Sequence, residues 1–427
     1  MPGAAWKNKT KKLISFSGLQ LLIHGVMALS GFLIVRVLDK PEYAAYTIAA
    51  SLQALLSALT DCGIAAGLNA VGGRIWNDSA RLRGLVAIAL RLRTRLALIA
   101  IPMMVVSAFY LLRKNGVPWT GTIALTGGVL FTIVGAFLTA IYAVPLRLHA
   151  LYTTVQKFDL LAAALRFALL VGLASFFLNA LAAVLVSAVT LAFQGILLRN
   201  RTEKLLAAGA REDESDRQSL LRLVKKQSVA TIFYAYQGQI TIWIISIFGS
   251  TEKVADVGAL SRLAILFALV ASILTGLIAP TLARCETLSR LMKLFLVTLV
   301  TYLVFATALL VCSFRFPAEL LWILGGKYES LTREVPWLVG NAIVGGLIAV
   351  VYTLASARGW IWYTWITPVL TIAAQVIAIP LLNLSTVRGV LVFGLVSLLP
   401  TLVVSLGLDV RGLWTSWKSG KLAPVAT

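Results

Sequence analysis

Runs of about 20 apolar residues, separated by short polar stretches, recur along the whole chain. A run of that length crosses the hydrocarbon of a bilayer as one helix, so each run predicts a span. Twelve are predicted, near 13–37, 43–70, 94–112, 120–144, 160–178, 180–198, 228–248, 254–281, 294–314, 337–356, 363–382 and 389–408. Splitting a long run would raise the count toward fourteen. Between the first two spans, Asp39, Lys40, Pro41 and Glu42 form a polar turn, with Pro41 where a new helix tolerates its missing N–H.

The longest polar interruption, 199–227, predicts a cytoplasmic or interfacial linker between a lobe at 1–198 and a lobe at 228–427. Acids Asp213, Glu214 and Asp216, capping-box spacing from Ser215 to Gln218, and basic Arg222, Lys225 and Lys226 predict a helix within it. Leu220, Leu221, Leu223 and Val224 would give that helix an apolar face for the membrane interface, and a solvated linker fits nearly as well. A shift of about 210 residues sets Leu38 on Phe248, Glu42 on Glu252 and Arg74 on Arg284, with an uninterrupted apolar helix after each turn. The expected fold is therefore an all-α integral membrane protein of two six-helix lobes related by an internal repeat.

Composition sharpens this picture. With 59% hydrophobic and 13% charged residues, the chain lacks the charge a soluble surface needs. A net charge of +21 would suggest nucleic acid in a soluble protein. Here Lys and Arg fall between apolar runs, which marks them as topology signals and argues against a nucleic-acid partner. Alternate loops carry Arg74 through Arg95, Arg147 and Lys157, Arg199 through Lys226, Arg284 through Lys293, and Arg358. The positive-inside rule then places those loops and both termini in the cytoplasm. The start is read as an uncleaved first helix, because no small-x-small cleavage site precedes Arg36. Cys62, Cys285 and Cys312 have no metal-ligand spacing, GGKY lacks the residues of a phosphate loop, and neither a metal nor a cofactor is expected.

Three stretches carry a family resemblance: RVLDKPEYAAYTIAASLQALLSALTDCGIAAGLNA; GQITIWIISIFGSTEKVADVGALSRLAILFALVASILTGLIAPTLAR; and LLWILGGKYESLTREVPWLVGNAI. They resemble the Wzx-type polysaccharide (O-antigen) flippases, of the superfamily that also holds multidrug exporters and lipid II flippases. Arg36, Pro41, Glu42, Tyr43, Asp61, Gly63, Gly258, Arg262, Leu263, Pro280, Arg284, Gly325 and Tyr328 match, while Ala44 and Ala45 stand where the family usually has Gly. The resemblance implies alternating access in a bacterial inner membrane, moving a polyprenyl-diphosphate-linked oligosaccharide outward without chemical change. It also implies membrane lipids and a polysaccharide polymerase or export machinery as partners. Multidrug or cation export is the first alternative; Gln239, near where many members carry an acid, argues against it. A membrane-embedded glycan polymerase or glycosyltransferase, using Asp39 or Glu42 on the outer side, is the second.

Ionisable groups cost about 2.5–3.5 kcal/mol each inside a span, so they should face water or a partner. His24 and Gln239 each fall roughly 16 Å into a span and are lumen candidates, as are Arg166 and Arg262, whose guanidinium forks suit phosphate. Arg36 joins them through its family match, although an ion pair with Asp39 would account for it. Asp61, Arg74 and Arg284 are candidates for a salt bridge that closes an inner gate. Arg91 and Arg95 share a helix face and could capture an anionic headgroup, with Arg93 turned away. Tyr234, Tyr236, Gln237, Asn341, Trp360 and Trp362 are candidates to handle sugar, the tryptophans also fitting an interfacial belt.

Overall fold

The computed structural model describes residues 2–207, 209–360 and 365–419. Its elements are α1 (Pro2–Val37), α2 (Lys40–Asp61), α3 (Ile64–Ile75), α4 (Ser79–Lys114), α5 (Trp119–Leu148), α6 (Tyr152–Ala174), α7 (Ala180–Glu203), α8 (Glu214–Gln237), α9 (Ile240–Phe248), α10 (Thr251–Ala283), α11 (Leu288–Arg315), α12 (Pro317–Trp322), a 3-10 turn at Gly326–Arg333, α13 (Val335–Arg358), α14 (Ile366–Leu381) and α15 (Val387–Ser419). Read as continuous paths, with α2–α3 and α8–α9 each one broken span, these give the twelve expected crossings. Among the described residues, eight helical stretches are by themselves long and apolar enough to cross a membrane, and α14 is a shorter apolar helix. The protein is an all-α integral membrane protein with about 12 transmembrane helices.

Local chemistry starts and stops these helices where the sequence pattern breaks. Asp39 caps α2 by accepting from the Glu42 N–H at 3.2 Å, and Pro41 sits in the first turn. Asp78 caps α4 and Asn179 caps α7 in the same way. α2 ends in a left-handed pair, Cys62 (φ 41°) and Gly63 (φ 85°), before α3 resumes. A Cβ at residue 63 would stand 2.7 Å from Gln227 Oε1, so glycine serves both the backbone angle and the close approach of α8.

The chain divides into two compact units, 1–246 and 247–427. In the first, α5 lies along α7 through small residues; a Cβ at Gly135 would come within 2.5 Å of the Ala192 backbone nitrogen. The loops joining α3 to α4, α5 to α6 and α7 to α8 collect at one end. There Leu148 reaches Gly72, the Thr202 hydroxyl donates to the Tyr142 carbonyl at 2.7 Å, and the Arg211 N–H donates to the Ala80 carbonyl at 3.0 Å. This is the arginine-rich end. A core of Ile64, Leu68, Leu85, Ile88, Val144, Leu198 and Leu220 lies beneath it. In the second unit, α13 packs against α10, α11 and α15, and α14 pairs with α15. Leu282, Leu291, Phe295, Leu354, Trp360 and Leu408 form a core there.

Three expectations change. The 199–227 linker does not separate the units: its helix is the first part of α8, which runs unbroken to Gln237 and packs on α2, α3 and α4. Leu220 and Val224 enter the first core rather than facing lipid headgroups, so the seventh path belongs by packing to the first unit. Its cap is Asp213, which accepts from the Ser215 N–H at 2.8 Å and from the Ser215 hydroxyl at 2.6 Å, not Ser215 itself.

Candidate functional site

Within the first unit, the ionisable side chains of the spans lie in three places. The deepest charge is Arg93, 1% exposed although it lies in a membrane-crossing helix. Its face follows from the sequence of α4: Val86, Ala89, Ala97, Ala100, Met104 and Ala108 are buried at helical spacing, and Arg93 stands in their register. The guanidinium stacks over Phe137 at 4.8 Å, and its Nη1 lies 3.5 Å from Asp61 Oδ1. Nε and Nη1 make no hydrogen bond. Asp61 sits at the α2–α3 break and accepts from the Ala65 N–H at 3.3 Å, capping α3. The break thus places a carboxylate beside a buried arginine, on a face turned away from exposed Arg91 and Arg95 as the spacing predicts, but within the helix rather than ahead of the span.

The second place is on α6. Arg166 is half-buried, donates from Nη2 to the Tyr46 hydroxyl at 3.3 Å, and keeps a buried Nε without a partner. Tyr43 and Tyr46 lie with ring centroids 6.0 Å apart on α2. Asp159, nearer the start of the same helix, accepts from Gln194 at 2.6 Å. The third is an amide track: Gln156 donates to Gln20 at 3.1 Å, and Gln20 meets a ring nitrogen of His24 at 3.2 Å. His24 is exposed in α1 and is positioned from α6. Gln239 stands in the α8–α9 break, its carbonyl accepting from the Trp243 N–H at 3.1 Å. There Trp243 Nε1 donates to Ser51 at 3.1 Å, and Tyr236 packs edge-on against Trp243 at 5.7 Å.

The remaining candidates are more dispersed. Arg36 is exposed in the last turn of α1, and Arg74 is exposed in the last turn of α3. Arg91 is paired with Glu212 of the segment leading into α8, and Arg95 is exposed one turn later. Tyr234 is exposed and Gln237 half-buried on α8. In the second unit, Arg262 is half-buried in α10 and Arg284 is exposed at its C-cap. Asn341 bonds the Trp337 and Leu391 carbonyls at 2.9 and 2.8 Å, a helix-packing role. Trp360 is a core residue, 1% exposed, rather than a belt residue; Trp362 lies outside the described residues. Arg358, expected in a solvated loop, is buried and donates to the Cys285 carbonyl at 3.1 Å.

Asp39 and Glu42 have structural partners. Asp39 caps α2, and Glu42 accepts from the Ala180 N–H at 2.7 Å, capping α7.

No family model matches the chain, and no curated protein matches it. Solved structures do. The chain is similar to the lipid II flippase MurJ in an inward closed conformation, with a TM-score of 0.68 at 11% identity over 95% of this chain and 93% of that one. It is similar to an inward-facing multidrug resistance MATE family transporter of the MOP superfamily, with a TM-score of 0.65 at 14% identity over 92% and 95%. The eukaryotic MATE transporter AtDTX14 follows with a TM-score of 0.56 at 14% identity over 95% and 96%. At such identities the likeness establishes the fold, which flippases and transporters share.

Proposed function

We propose that the protein is a flippase that moves a polyprenyl-phosphate- or polyprenyl-diphosphate-linked oligosaccharide from the cytoplasmic to the outer face of a bacterial inner membrane, for surface polysaccharide synthesis. It works by alternating access and makes no covalent change to its cargo. The observation that carries this reading is a pair of guanidiniums in the first unit whose donor nitrogens are not all used. Arg93 and Arg166 are held within membrane helices with donor nitrogens to spare. Asp61 lies at ion-pair distance from Arg93, and Asp159 is engaged by Gln194. Such guanidiniums favour phosphate oxygens, which accept in the fork geometry that arginine presents.

Cation export would call for spare acceptors in the same place, which this arrangement does not favour. Glycan polymerisation would need a free base at the outer side, and both Asp39 and Glu42 cap helices there. The fold shared with a lipid II flippase supports movement of a lipid-linked substrate. The sugar-handling role falls to Tyr236 and Trp243, whose rings flank the break between α8 and α9.

The test is reconstitution into proteoliposomes carrying a fluorescent lipid-linked oligosaccharide, scored by accessibility to an added glycosidase. Protein-dependent exposure that falls at least tenfold in Arg166→Gln is expected. Elongation or transfer of the glycan instead of exposure would overturn the proposal.

A further inference from the structure

At the arginine-rich end, away from the interior groups described above, a cavity of about 540 Å³ opens between the start of α4 and the end of α7. It is lined by Arg83, Asn200, Glu203, Lys204 and Leu206. The polar capacity of this lining is largely unused. Arg83 makes one long bond, from Nη2 to the Glu203 carbonyl at 3.4 Å, and its Nε is buried without a partner. The one acid in the lining is already committed, because Glu203 Oε1 accepts from Arg199 Nε at 2.7 Å. The cavity therefore presents a guanidinium, an ammonium and an amide against a carboxylate neutralised from outside.

Depth identifies the occupant. The apolar run of α7 ends at Leu198, and Asn200 to Leu206 follow within about 12 Å of helix and turn, so the cavity lies at the level of lipid headgroups. Leu206 gives it an apolar wall beside the polar groups. Basic pockets between membrane helices at this level take anionic headgroups. We propose that this cavity is a binding site for the phosphate headgroup of an anionic phospholipid, separate from the transported substrate. A bound lipid would tie α4 to α7 through Arg83 and Lys204.

The experiment uses the full chain in neutral detergent, titrated with phosphatidylglycerol, with phosphatidylcholine, or with inorganic phosphate at constant ionic strength. The readout is the thermal midpoint. Phosphatidylglycerol should raise the midpoint in a saturable way, since ligand binding to the folded state alone stabilises it. The half-saturating concentration should increase about tenfold in Arg83→Gln/Lys204→Gln, which removes two charge-assisted contacts. Asn200→Lys, an exposed position, should lower it and provides a gain-of-function arm if the double variant does not fold. An equal response to phosphatidylcholine, or an unchanged midpoint shift in these variants, would overturn the site. Saturation by inorganic phosphate alone, with the same dependence on Arg83 and Lys204, would overturn the lipid assignment in favour of a soluble phosphate compound.

Discussion

Arg93 shows how one residue can be misread and why. In the run Arg91 to Arg95 it looks like one of several interfacial cations, and a span predicted to begin after it leaves it in water. Once α4 is extended back to Ser79, the small and apolar residues three and four positions away put it on the buried face. That periodicity was available in the sequence; the length of the helix was not. The pairing with Asp61 predicts that Asp61→Asn alone destabilises the protein by about 2 kcal/mol, because it strands a buried charge, with Asp61 itself partly exposed. Asp61→Asn combined with Arg93→Met should recover most of that loss. Thermal unfolding of the single and double variants measures this coupling, and additive losses would contradict it. A simpler expectation concerns Glu42: Glu42→Ala removes one of the two side-chain caps of α7, Asn179 keeping the other, and should cost about 1 kcal/mol in the same assay.

Among the elements, α8 departs most from its expected role. The apolar face of Leu220, Leu223 and Val224 was legible, but whether that face meets lipid or protein depends on the neighbours, and these are the core residues of α3 and α4. Its attachment is electrostatic as well: Arg81 meets Asp216 at 2.5 Å and Asp213 at 3.2 Å, and Arg91 meets Glu212. Hydrogen bonds from Ser215 hold the Asp213 carboxyl below its ordinary range, and Arg217 does the same for Glu214. Groups depressed in the folded state lend stability above the unfolded carboxylate range and lose it as pH falls. The first turn of α8 should therefore be firmest at neutral pH and fray below about pH 4. Hydrogen exchange of the 212–220 amides as a function of pH reports it. Between α5 and α7 the contact is steric, and Gly135→Leu should cost about 3 kcal/mol or prevent folding, because a side chain there meets the Ala192 backbone.

Over the whole molecule, hydropathy carried most of the architecture. Apolar runs and alternating loop charges marked twelve crossings, and the polar turn at Asp39–Glu42 opened α2 where expected. The grouping of helices was not legible in the same way. A hydrophilic linker marks where chain leaves the membrane, whereas the division between units depends on which faces pack, and α8 and α9 pack with the first unit. The interior groups followed the same rule: Arg166 was found because it interrupts an apolar run, but its Tyr46 partner required α2 and α6 to be placed together. What the assembled first unit adds is a pair of guanidiniums with unused donor nitrogens, which favours the proposed anionic cargo over an organic cation. The decisive measurement is therefore transport in one preparation of proteoliposomes, offered either a lipid-diphosphate-linked oligosaccharide or a fluorescent organic cation. Glycan exposure that depends on Arg166, with no protein-dependent cation movement, is the expected result. Cation movement without glycan exposure would contradict the account.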